Sequence, residues 1–230
     1  MRKSIENNLS SVKARLHAAA DVAGRSSTKI TLLAVSKTRS ASCLRQAYAC
    51  GLRSFGENYL QEALKKQAEL NDLSIEWHFI GPIQSNKTRA IAENFDWVHS
   101  VDRVKIARRL SDQRLKSQPP LNICLQVNLD QEASKSGFSL EEVADAAAEI
   151  ACLPHISLRG LMAIPAKRDR SEEQEHAFRK LFNALEDLKQ SLPGQALDTL
   201  SMGMSADLEP AIKAGSTMVR IGTDLFGPRD

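Results

Sequence analysis

Eight short apolar segments alternate with amphipathic segments along this 230-residue chain. Short runs rich in β-branched residues are typical of buried parallel strands, and apolar residues three or four positions apart are typical of helices. The predicted strands cover residues 30–37, 52–55, 75–80, 97–100, 121–128, 157–164, 197–202 and 217–221. The predicted helices cover residues 5–23, 40–50, 57–70, 85–93, 103–113, 140–152, 172–190 and 208–214. Since strict alternation favours parallel strands joined by right-handed crossovers, the pattern predicts an α/β fold, a single (β/α)8 barrel of the TIM type.

The first predicted helix has no strand before it and needs a place in this barrel. The sequence ends soon after the last strand, where a barrel would have its eighth outer helix. We therefore expect the helix over residues 5–23 to cover that gap. An open, doubly wound sheet is the alternative, but no strand-turn-helix unit contains a Gly-x-Gly-x-x-Gly motif. No compositional break marks a linker, so we expect residues 1–230 to form one barrel domain.

Composition and charge narrow the possible partners. The chain is 42% hydrophobic, enough for a large core, and its net charge is only +3. The basic pairs Lys65-Lys66 and Arg108-Arg109 lie in mixed-charge helical segments and are interpreted as solvated helix faces. The four cysteines lack metal-ligand spacing and are interpreted as buried, reduced thiols. No segment resembles a signal sequence or a membrane span, so we expect a cytoplasmic protein that binds no metal, nucleic acid or membrane.

Lys37 ends the first predicted strand and is the first candidate for chemistry. Counting alternate residues back from it places Lys37 on the same face as Val35 and Leu33, toward the interior or a cavity at the strand's end. Desolvation lowers the pKa of a lysine and makes the neutral amine available as a nucleophile. Such an amine forms Schiff bases with aldehydes, of which pyridoxal phosphate is the commonest cofactor. The alternative is a lysine whose ammonium extends into water at the strand's end.

The loops after strands seven and eight are candidates for an anion site. In a (β/α)8 barrel these two loops often bind phosphate. Gly203 and Gly222 allow backbone N–H groups to approach an anion closely, and Ser201, Ser205 and Thr223 supply hydroxyl groups. Ser205 is also predicted to begin the next helix, where free N–H groups favour an anion. Since strand eight closes the barrel against strand one, this anion site and Lys37 are expected to be neighbours.

Arg220 ends the eighth predicted strand and alternates with Met218, so its side chain is expected to point inward. An arginine beside a pyridine nitrogen would keep that nitrogen unprotonated, because a guanidinium does not release its proton. The ring would then withdraw electrons less strongly than one paired with a carboxylate. The alternative is an ion pair at the end of the barrel with Glu57 or Asp207.

Seven short motifs, in order along the chain, resemble those of the pyridoxal phosphate homeostasis protein family. The fold of that family is similar to the N-terminal barrel of alanine racemase. The resemblance extends over residues 5–227, nearly the whole chain. The motifs are Ala34–Thr38, Phe55–Tyr59, His78–Gly81, Gln84–Lys87, Gly160–Met162, Leu200–Ser205 and Val219–Thr223.

The resemblance implies a site for pyridoxal 5′-phosphate (PLP). It implies that Lys37 holds PLP as a Schiff base and that Arg220 faces the pyridine nitrogen. It places Asn58, just after the second strand, near the ring. The phosphate contacts that it implies come from Ser201, Ser205, Gly222 and Thr223.

Three functions are consistent with these residues. The family resemblance implies a protein that binds PLP, buffers it and delivers it to apoenzymes, maintaining vitamin B6 homeostasis without catalytic turnover; we expect a monomer. A PLP-dependent amino-acid racemase is the main alternative, but racemisation needs a base on each face of the substrate, and the only tyrosines are Tyr48 and Tyr59. A Schiff-base aldolase is the third, although no acid lies near Lys37 in sequence.

Two further residues could contribute to such a site. His78 lies between two aromatic residues in the third predicted strand and is interpreted as a hydrogen-bonded residue of the barrel wall rather than a base. Lys135 follows the fifth predicted strand, so it is expected to border the C-terminal end of the barrel. It is therefore a candidate for a second contact with the cofactor.

Overall fold

The computed structural model describes residues 4–132 and 135–228. Within these ranges eight parallel strands form one closed barrel, in which each strand pairs with the next and the eighth pairs with the first. The strands are β1 (Thr31–Val35), β2 (Ser54–Glu57), β3 (Glu76–Phe79), β4 (Trp97–Val101), β5 (Leu121–Gln126), β6 (Ile156–Met162), β7 (Thr199–Ser201) and β8 (Met218–Ile221). The predicted (β/α)8 barrel is confirmed.

Helices surround the barrel. They are α1 (Ile5–Val22), α2 (Ala41–Ala49), α3 (Leu60–Glu69), α4 (Thr88–Asn94), α5 (Val104–Gln113), α6 (Val143–Ala151), α7 (Ser171–Ser191), α8 (Leu208–Lys213) and α9 (Thr223–Phe226). Helices α2 to α8 each connect two successive strands. Serine hydroxyls cap the N-termini of α1 and α2: the hydroxyl of Ser4 accepts the N–H of Asn7 at 3.2 Å, and that of Ser40 accepts the N–H of Cys43 at 3.3 Å. Helix α9 was not predicted, because its four residues are too few to show a helical period.

Helix α1 occupies the predicted gap in the outer ring. It packs against α8 and α9, the two shortest helices that follow β7 and β8. Arg15 pairs with Glu209 of α8 at 2.8 Å and with Asp224 of α9 at 2.5 Å. The side-chain amide of Asn8 donates to the carbonyl of Leu225 at 3.0 Å. The expectation that the N-terminal helix covers the end of the ring is therefore confirmed.

Alternate strand residues divide the core into two layers. Those that face the helices form one continuous apolar cluster, including Ala34, Phe55, Val98, Leu161 and Ile221. Those that face the barrel axis are more polar than the branched aliphatic residues usual in such barrels. His99 on β4 contacts Ser201 on β7, on the far side of the barrel, so both side chains lie in the interior.

Two further sequence expectations can be compared with the structure. All four cysteines are free thiols, but only Cys124 is buried; Cys43 and Cys50 are partly exposed, and Cys152, just after α6, is exposed. The expectation of buried thiols was therefore confirmed only for Cys124, because the other three lie on or beside outer helices. Among the described residues, no helix has the length and apolarity needed to cross a membrane.

Candidate functional site

Lys37 lies two residues beyond the end of β1 and is half-buried. The preceding residue continues the strand ladder, since the N–H of Ser36 donates to the carbonyl of Gly56 at 2.9 Å. Thr38, which follows, has a φ of +65°, an uncommon conformation for a β-branched residue. Its N–H donates to Oε1 of Glu62 at 2.6 Å. This turn ends β1 before Lys37, whereas the sequence predicted a strand that continued to it.

A buried ion cluster lies beneath the turn at Lys37. Nζ of Lys66 is 2.6 Å from Oε1 of Glu57 and 2.5 Å from Oε1 of Glu62, and it donates to the carbonyl of Ser36 at 2.8 Å. Lys66 is only 4% exposed. The interpretation of Lys65-Lys66 as a solvated helix face was therefore wrong for Lys66, whereas the side chain of Lys65 is 81% exposed. The two lysines point in different directions because consecutive helical residues are about 100° apart.

Glu57 is the most buried member of this cluster. Burial raises the pKa of its carboxyl group, and the ammonium of Lys66 and the hydroxyl of Ser36 partly oppose that effect. The hydroxyl of Ser36 donates to Oε1 of Glu57 at 2.6 Å. Glu57 and Lys66 bind Ser36, the residue before Lys37, and Glu62 binds the N–H of Thr38, the residue after it. The backbone on both sides of Lys37 is therefore fixed.

Residues 202–207, the loop after β7, and residues 222–224, Gly222 with the start of α9, form a contiguous surface that we call the loop pair. The N–H of Asp224 donates to Oγ of Ser205 at 3.4 Å, which joins the two loops. Gly222 lies against the end of β1: a Cβ added to it would be 3.4 Å from the carbonyl oxygen of Val35. The loop pair and the turn at Lys37 are therefore neighbours, as the closure of the barrel predicted.

Within the loop pair, the start of α8 differs from the prediction. The helix begins at Leu208 and Asp207 precedes it, so Ser205 is not the capping residue. Instead, Oδ1 of Asp207 accepts the N–H of Met204 at 2.6 Å and shapes the loop, while burial raises the pKa of the Asp207 carboxyl group. Sequence periodicity could not locate this start, because α8 has only six residues. Ser205 and Thr223 remain in the loop pair, half-buried and exposed respectively.

Arg220 lies in the barrel interior at the same end. Its Nη1 donates to the carbonyl and hydroxyl oxygens of Ser201 at 2.5 and 2.8 Å, and its Nη2 donates to the carbonyl of Ala163 at 3.0 Å. Burial lowers the pKa of Arg220 to about 10, and the charge of Asp207 acts in the opposite direction. Ser201 is thus a direct partner of Arg220, rather than either carboxylate that the sequence suggested. The hydroxyl of Ser201 lies in the interior, unlike those of Ser205 and Thr223.

Asn58 follows β2 and is half-buried. Its Oδ1 is enclosed by protein yet makes no hydrogen bond to any residue in the described ranges. Its backbone is pressed against Gly81, where an added Cβ would be 2.1 Å from the carbonyl oxygen of Asn58. The glycine in the His78–Gly81 motif therefore allows the loops after β2 and β3 to approach each other. An enclosed acceptor without a protein donor is a feature expected of a ligand contact.

Two histidines are connected to Arg220 through the hydroxyl of Ser201. His78 Nε2 is 2.9 Å from Oε2 of Glu76, His78 Nδ1 is 2.9 Å from His99 Nε2, and His99 Nδ1 is 2.7 Å from Oγ of Ser201. The interpretation of His78 as a hydrogen-bonded wall residue is confirmed. His99 was missed, although its position in β4 two residues after Trp97 places it on the face that includes that buried ring. We call the series Glu76, His78, His99, Ser201 and Arg220 the histidine network.

Lys135 and the two tyrosines lie apart from these groups or at their rim. Nζ of Lys135 pairs with Glu132 at 2.7 Å and lies 3.3 Å from the carbonyl of Ile164, which follows β6. Tyr48 is in α2, under the guanidinium of Arg53 at 3.8 Å. Tyr59 is beside Asn58 and 54% exposed.

Comparison with known proteins places this geometry in a family. The sequence model of the alanine racemase N-terminal domain matches residues 5–230. A protein of Pseudomonas aeruginosa called pyridoxal phosphate homeostasis protein is 59% identical over 227 residues, which cover 99% of this chain and 96% of the relative. The chain belongs to the pyridoxal phosphate homeostasis protein family. The member of this family from Escherichia coli is 52% identical and is covered over 97% of its length.

Solved structures agree with this membership. PipY of Synechococcus elongatus, solved with PLP bound, has a TM-score of 0.85 and 36% identity, with 97% of this chain and 100% of PipY covered. Alanine racemase of Corynebacterium glutamicum has a TM-score of 0.65 at 20% identity, and this chain covers 59% of it. The second likeness shows only that the pyridoxal phosphate homeostasis protein family and the racemase have the same barrel fold.

Proposed function

We propose that this chain binds PLP at the C-terminal end of its barrel, with the amine of Lys37 as the attachment point, and that it buffers and delivers PLP in vitamin B6 homeostasis. One observation carries the proposal: the turn at Lys37, the loop pair and Arg220 are held together at one end of the barrel. The family membership and the PLP-bound structure of PipY support it. In this proposal residues 1–230 act as one PLP-binding domain.

The residues present fit the chemical groups of PLP. When bound, PLP supplies an aldehyde that condenses with a primary amine to form a C=N bond with release of one water molecule. The loop pair supplies the hydroxyls of Ser205 and Thr223 and backbone N–H groups at Gly203 and Gly222 for a phosphate. The enclosed Oδ1 of Asn58 is available to a donor on the ligand.

Arg220 and Ser201 act together in this proposal. A guanidinium remains charged at neutral pH even when burial lowers its pKa to about 10. It therefore donates to the pyridine nitrogen and does not protonate it. Because the hydroxyl of Ser201 is bonded to Arg220, we assign Ser201 to orienting that guanidinium rather than to direct contact with the phosphate.

A binding protein fits these residues better than a racemase. Racemisation needs a second base facing the first across the substrate α-carbon. Tyr48 is packed against Arg53 on an outer helix, and Tyr59 is exposed beside the site. We therefore propose that the chain has no catalytic turnover, acts as a monomer, and passes PLP to PLP-dependent apoenzymes. Inversion of an amino acid by the wild type, abolished in Lys37→Ala, would contradict this ranking.

The visible absorbance spectrum tests the attachment point. The wild type mixed with PLP is expected to show a visible band of lysine-linked PLP that Lys37→Ala lacks. Lys135→Ala is the matched control. Because Lys135 already pairs with Glu132, this variant is expected to leave the band unchanged. A wild type that shows no such band after it is mixed with PLP and the unbound PLP is removed would refute the proposal. A band lost in Lys135→Ala but kept in Lys37→Ala would show that PLP attaches to Lys135 and would contradict the assignment to Lys37.

A transfer experiment tests delivery. An apoenzyme added to the PLP-loaded protein is expected to gain activity faster than PLP appears in buffer when the apoenzyme is absent. Equal rates would mean passive release and would remove the delivery part of the proposal. The mass of the protein in solution, with and without PLP, tests the monomer.

A further inference from the structure

The histidine network crosses the barrel interior from one end to the other. Glu76 begins β3 at the N-terminal end, where its side chain is 45% exposed, whereas Arg220 lies at the end where PLP is proposed to bind. His78, His99 and Ser201, between them, are all fully buried. The four links from Glu76 to Arg220 measure 2.9, 2.9, 2.7 and 2.8 Å.

With both rings neutral, the two end groups determine the direction of every hydrogen bond in this network. A carboxylate only accepts, so His78 must donate to Glu76 from Nε2. A neutral His78 then accepts at Nδ1, which requires His99 to donate from Nε2. A neutral His99 in turn accepts at Nδ1, so the hydroxyl of Ser201 points toward it. The lone pairs of Ser201 consequently face the N–H of Arg220, which only donates.

We propose that His99 is a positioning residue for Arg220, and that His78 and Glu76 hold it in the required Nε2–H tautomer. This inference rests on the proposed function, because it assigns to Arg220 the contact with the pyridine nitrogen. The backbone carbonyls of Ser201 and Ala163 already hold the guanidinium, and the Ser201 hydroxyl oxygen adds a side-chain acceptor when its lone pairs face Nη1. A site held by partners that are themselves held is more precise than one held by a single contact.

The charges around His99 favour the neutral ring that this assignment needs. Complete burial lowers the pKa of His99 well below its ordinary value, and the positive charge of Arg220 on β8 lowers it further. Asp207 and Cys124 on β5 are titratable groups near Arg220. Burial raises the pKa of the Cys124 thiol to about 12, so it adds no charge. At the far end, the hydrogen bond from His78 helps to lower the pKa of Glu76 to about 2, so the carboxylate is an acceptor at neutral pH.

Nitrogen-15 NMR of the histidine rings in the PLP-free protein tests the direction of the network without any cofactor. Both buried rings are expected to be neutral and protonated at Nε2 at pH 7. A charged ring, or a ring protonated at Nδ1, at either position would refute the assignment. Replacement of His17, His155 and His176 by glutamine, one at a time, identifies the signals of the three histidines outside the network.

Two substitutions at His99 separate positioning from packing. In His99→Asn the side-chain carbonyl lies near the former Nδ1 and can accept from Ser201. In His99→Gln the longer amide reaches the former Nε2 position and can donate to His78, which leaves the Ser201 hydroxyl without its acceptor. We expect His99→Gln to weaken PLP binding about tenfold, the equivalent of one hydrogen bond to a charged group, and His99→Asn to weaken it less.

The visible band of the bound PLP provides the second readout. His99→Gln is expected to shift its absorbance maximum or the midpoint of its pH titration, and His99→Asn to stay closer to the wild type. Equal affinity losses that follow the melting temperature, or no change in either variant, would show that His99 only packs. A wild type that binds no PLP would refute the proposed function, and the ring tautomers in the PLP-free protein would still decide whether the network is directed as inferred.

Discussion

Nζ of Lys66 lies 2.6 Å from Oε1 of Glu57, and both side chains are buried under the backbone that carries Lys37. Lys66 also donates to the carbonyl of Ser36, so one ammonium neutralises a buried carboxylate and fixes the residue before the proposed attachment point. Buried ion pairs contribute little net stability relative to an apolar replacement of both partners, but the loss of one partner is costly. The pair is therefore best understood as a device that holds the turn at Lys37.

Replacement of Lys66 by methionine is expected to lower the free energy of unfolding by about 3–5 kcal/mol, since Glu57 would be left as an uncompensated buried charge. The carbonyl of Ser36 would lose its donor at the same time. We therefore expect a weaker visible PLP band in the folded variant, measured alongside unfolding by urea.

The neighbouring lysine supplies the control. Lys65→Met removes a side chain that is 81% exposed and lies 3.9 Å from Glu69, a surface pair worth at most about 1 kcal/mol. Its stability and PLP band are expected to match the wild type. If Lys65→Met and Lys66→Met gave similar results, the buried pair would have no special role at Lys37.

The barrel, and the end of it at which the candidate residues meet, could be predicted because they depend on local patterns. Alternating strands and helices indicated the order of β1 to β8, and closure of the barrel brought Lys37 beside the loops after β7 and β8. Each strand boundary was predicted to within two residues. These features follow from periodicity and from the geometry common to parallel barrels.

The supporting contacts could not be predicted, because they join residues distant in sequence. Ser201 and His99 are 102 residues apart, and their contact depends on how far each strand is shifted along its neighbour. Lys66 follows an exposed lysine, and its burial becomes evident only when α3 is placed against Glu57. Strand order was readable from the sequence, but the register that brings side chains together was not.

The acid sensitivity of the protein should depend on Glu76. The hydrogen bond from His78 is the main cause that lowers the pKa of this carboxyl group from 4.5 to about 2 in the folded state. A carboxyl group whose pKa is lowered by folding stabilises the folded protein at pH values above its pKa in the unfolded chain. That stabilisation is lost as the pH falls from about 4.5 toward 2. Because the side chain is 45% exposed, we expect only about 1 kcal/mol between the wild type and Glu76→Gln at pH 7. Urea unfolding at pH 7 and pH 3.5 checks this, and a difference independent of pH would contradict it.

Arg15 should contribute to PLP affinity although it belongs to the N-terminal helix. It pairs with Glu209 and Asp224 and donates to the carbonyl of Ser205 at 3.0 Å, so it holds both members of the loop pair. Arg15→Met is expected to weaken PLP binding about threefold to tenfold, which corresponds to part of the free energy of one hydrogen bond to a charged group. Titration of the visible band measures this.

Arg45 allows a comparison at equal charge. It pairs with Asp72 at 2.6 Å on the surface between α2 and α3, with a similar exposed fraction of its side chain, 47% against 37% for Arg15. Arg45→Met is expected to leave PLP affinity unchanged. A loss of affinity shared by both variants would point to net charge rather than to the loop pair.

The shape of the loop after β7 should depend on Gly203. Its φ of +93° is one that other residues rarely adopt, and an added Cβ would lie 2.5 Å from Cβ of Ala211. Backbone strain and the overlap with α8 together predict that Gly203→Ala lowers the free energy of unfolding by about 2–4 kcal/mol. It should also weaken PLP binding, because relief of the overlap moves the loop pair.

Gly194→Ala is the control, since Gly194 has no atom within 4 Å of an added Cβ, and its effect should stay within about 0.5 kcal/mol. Gly203→Ala with normal stability and affinity would show that α8 shifts without disturbing the loop.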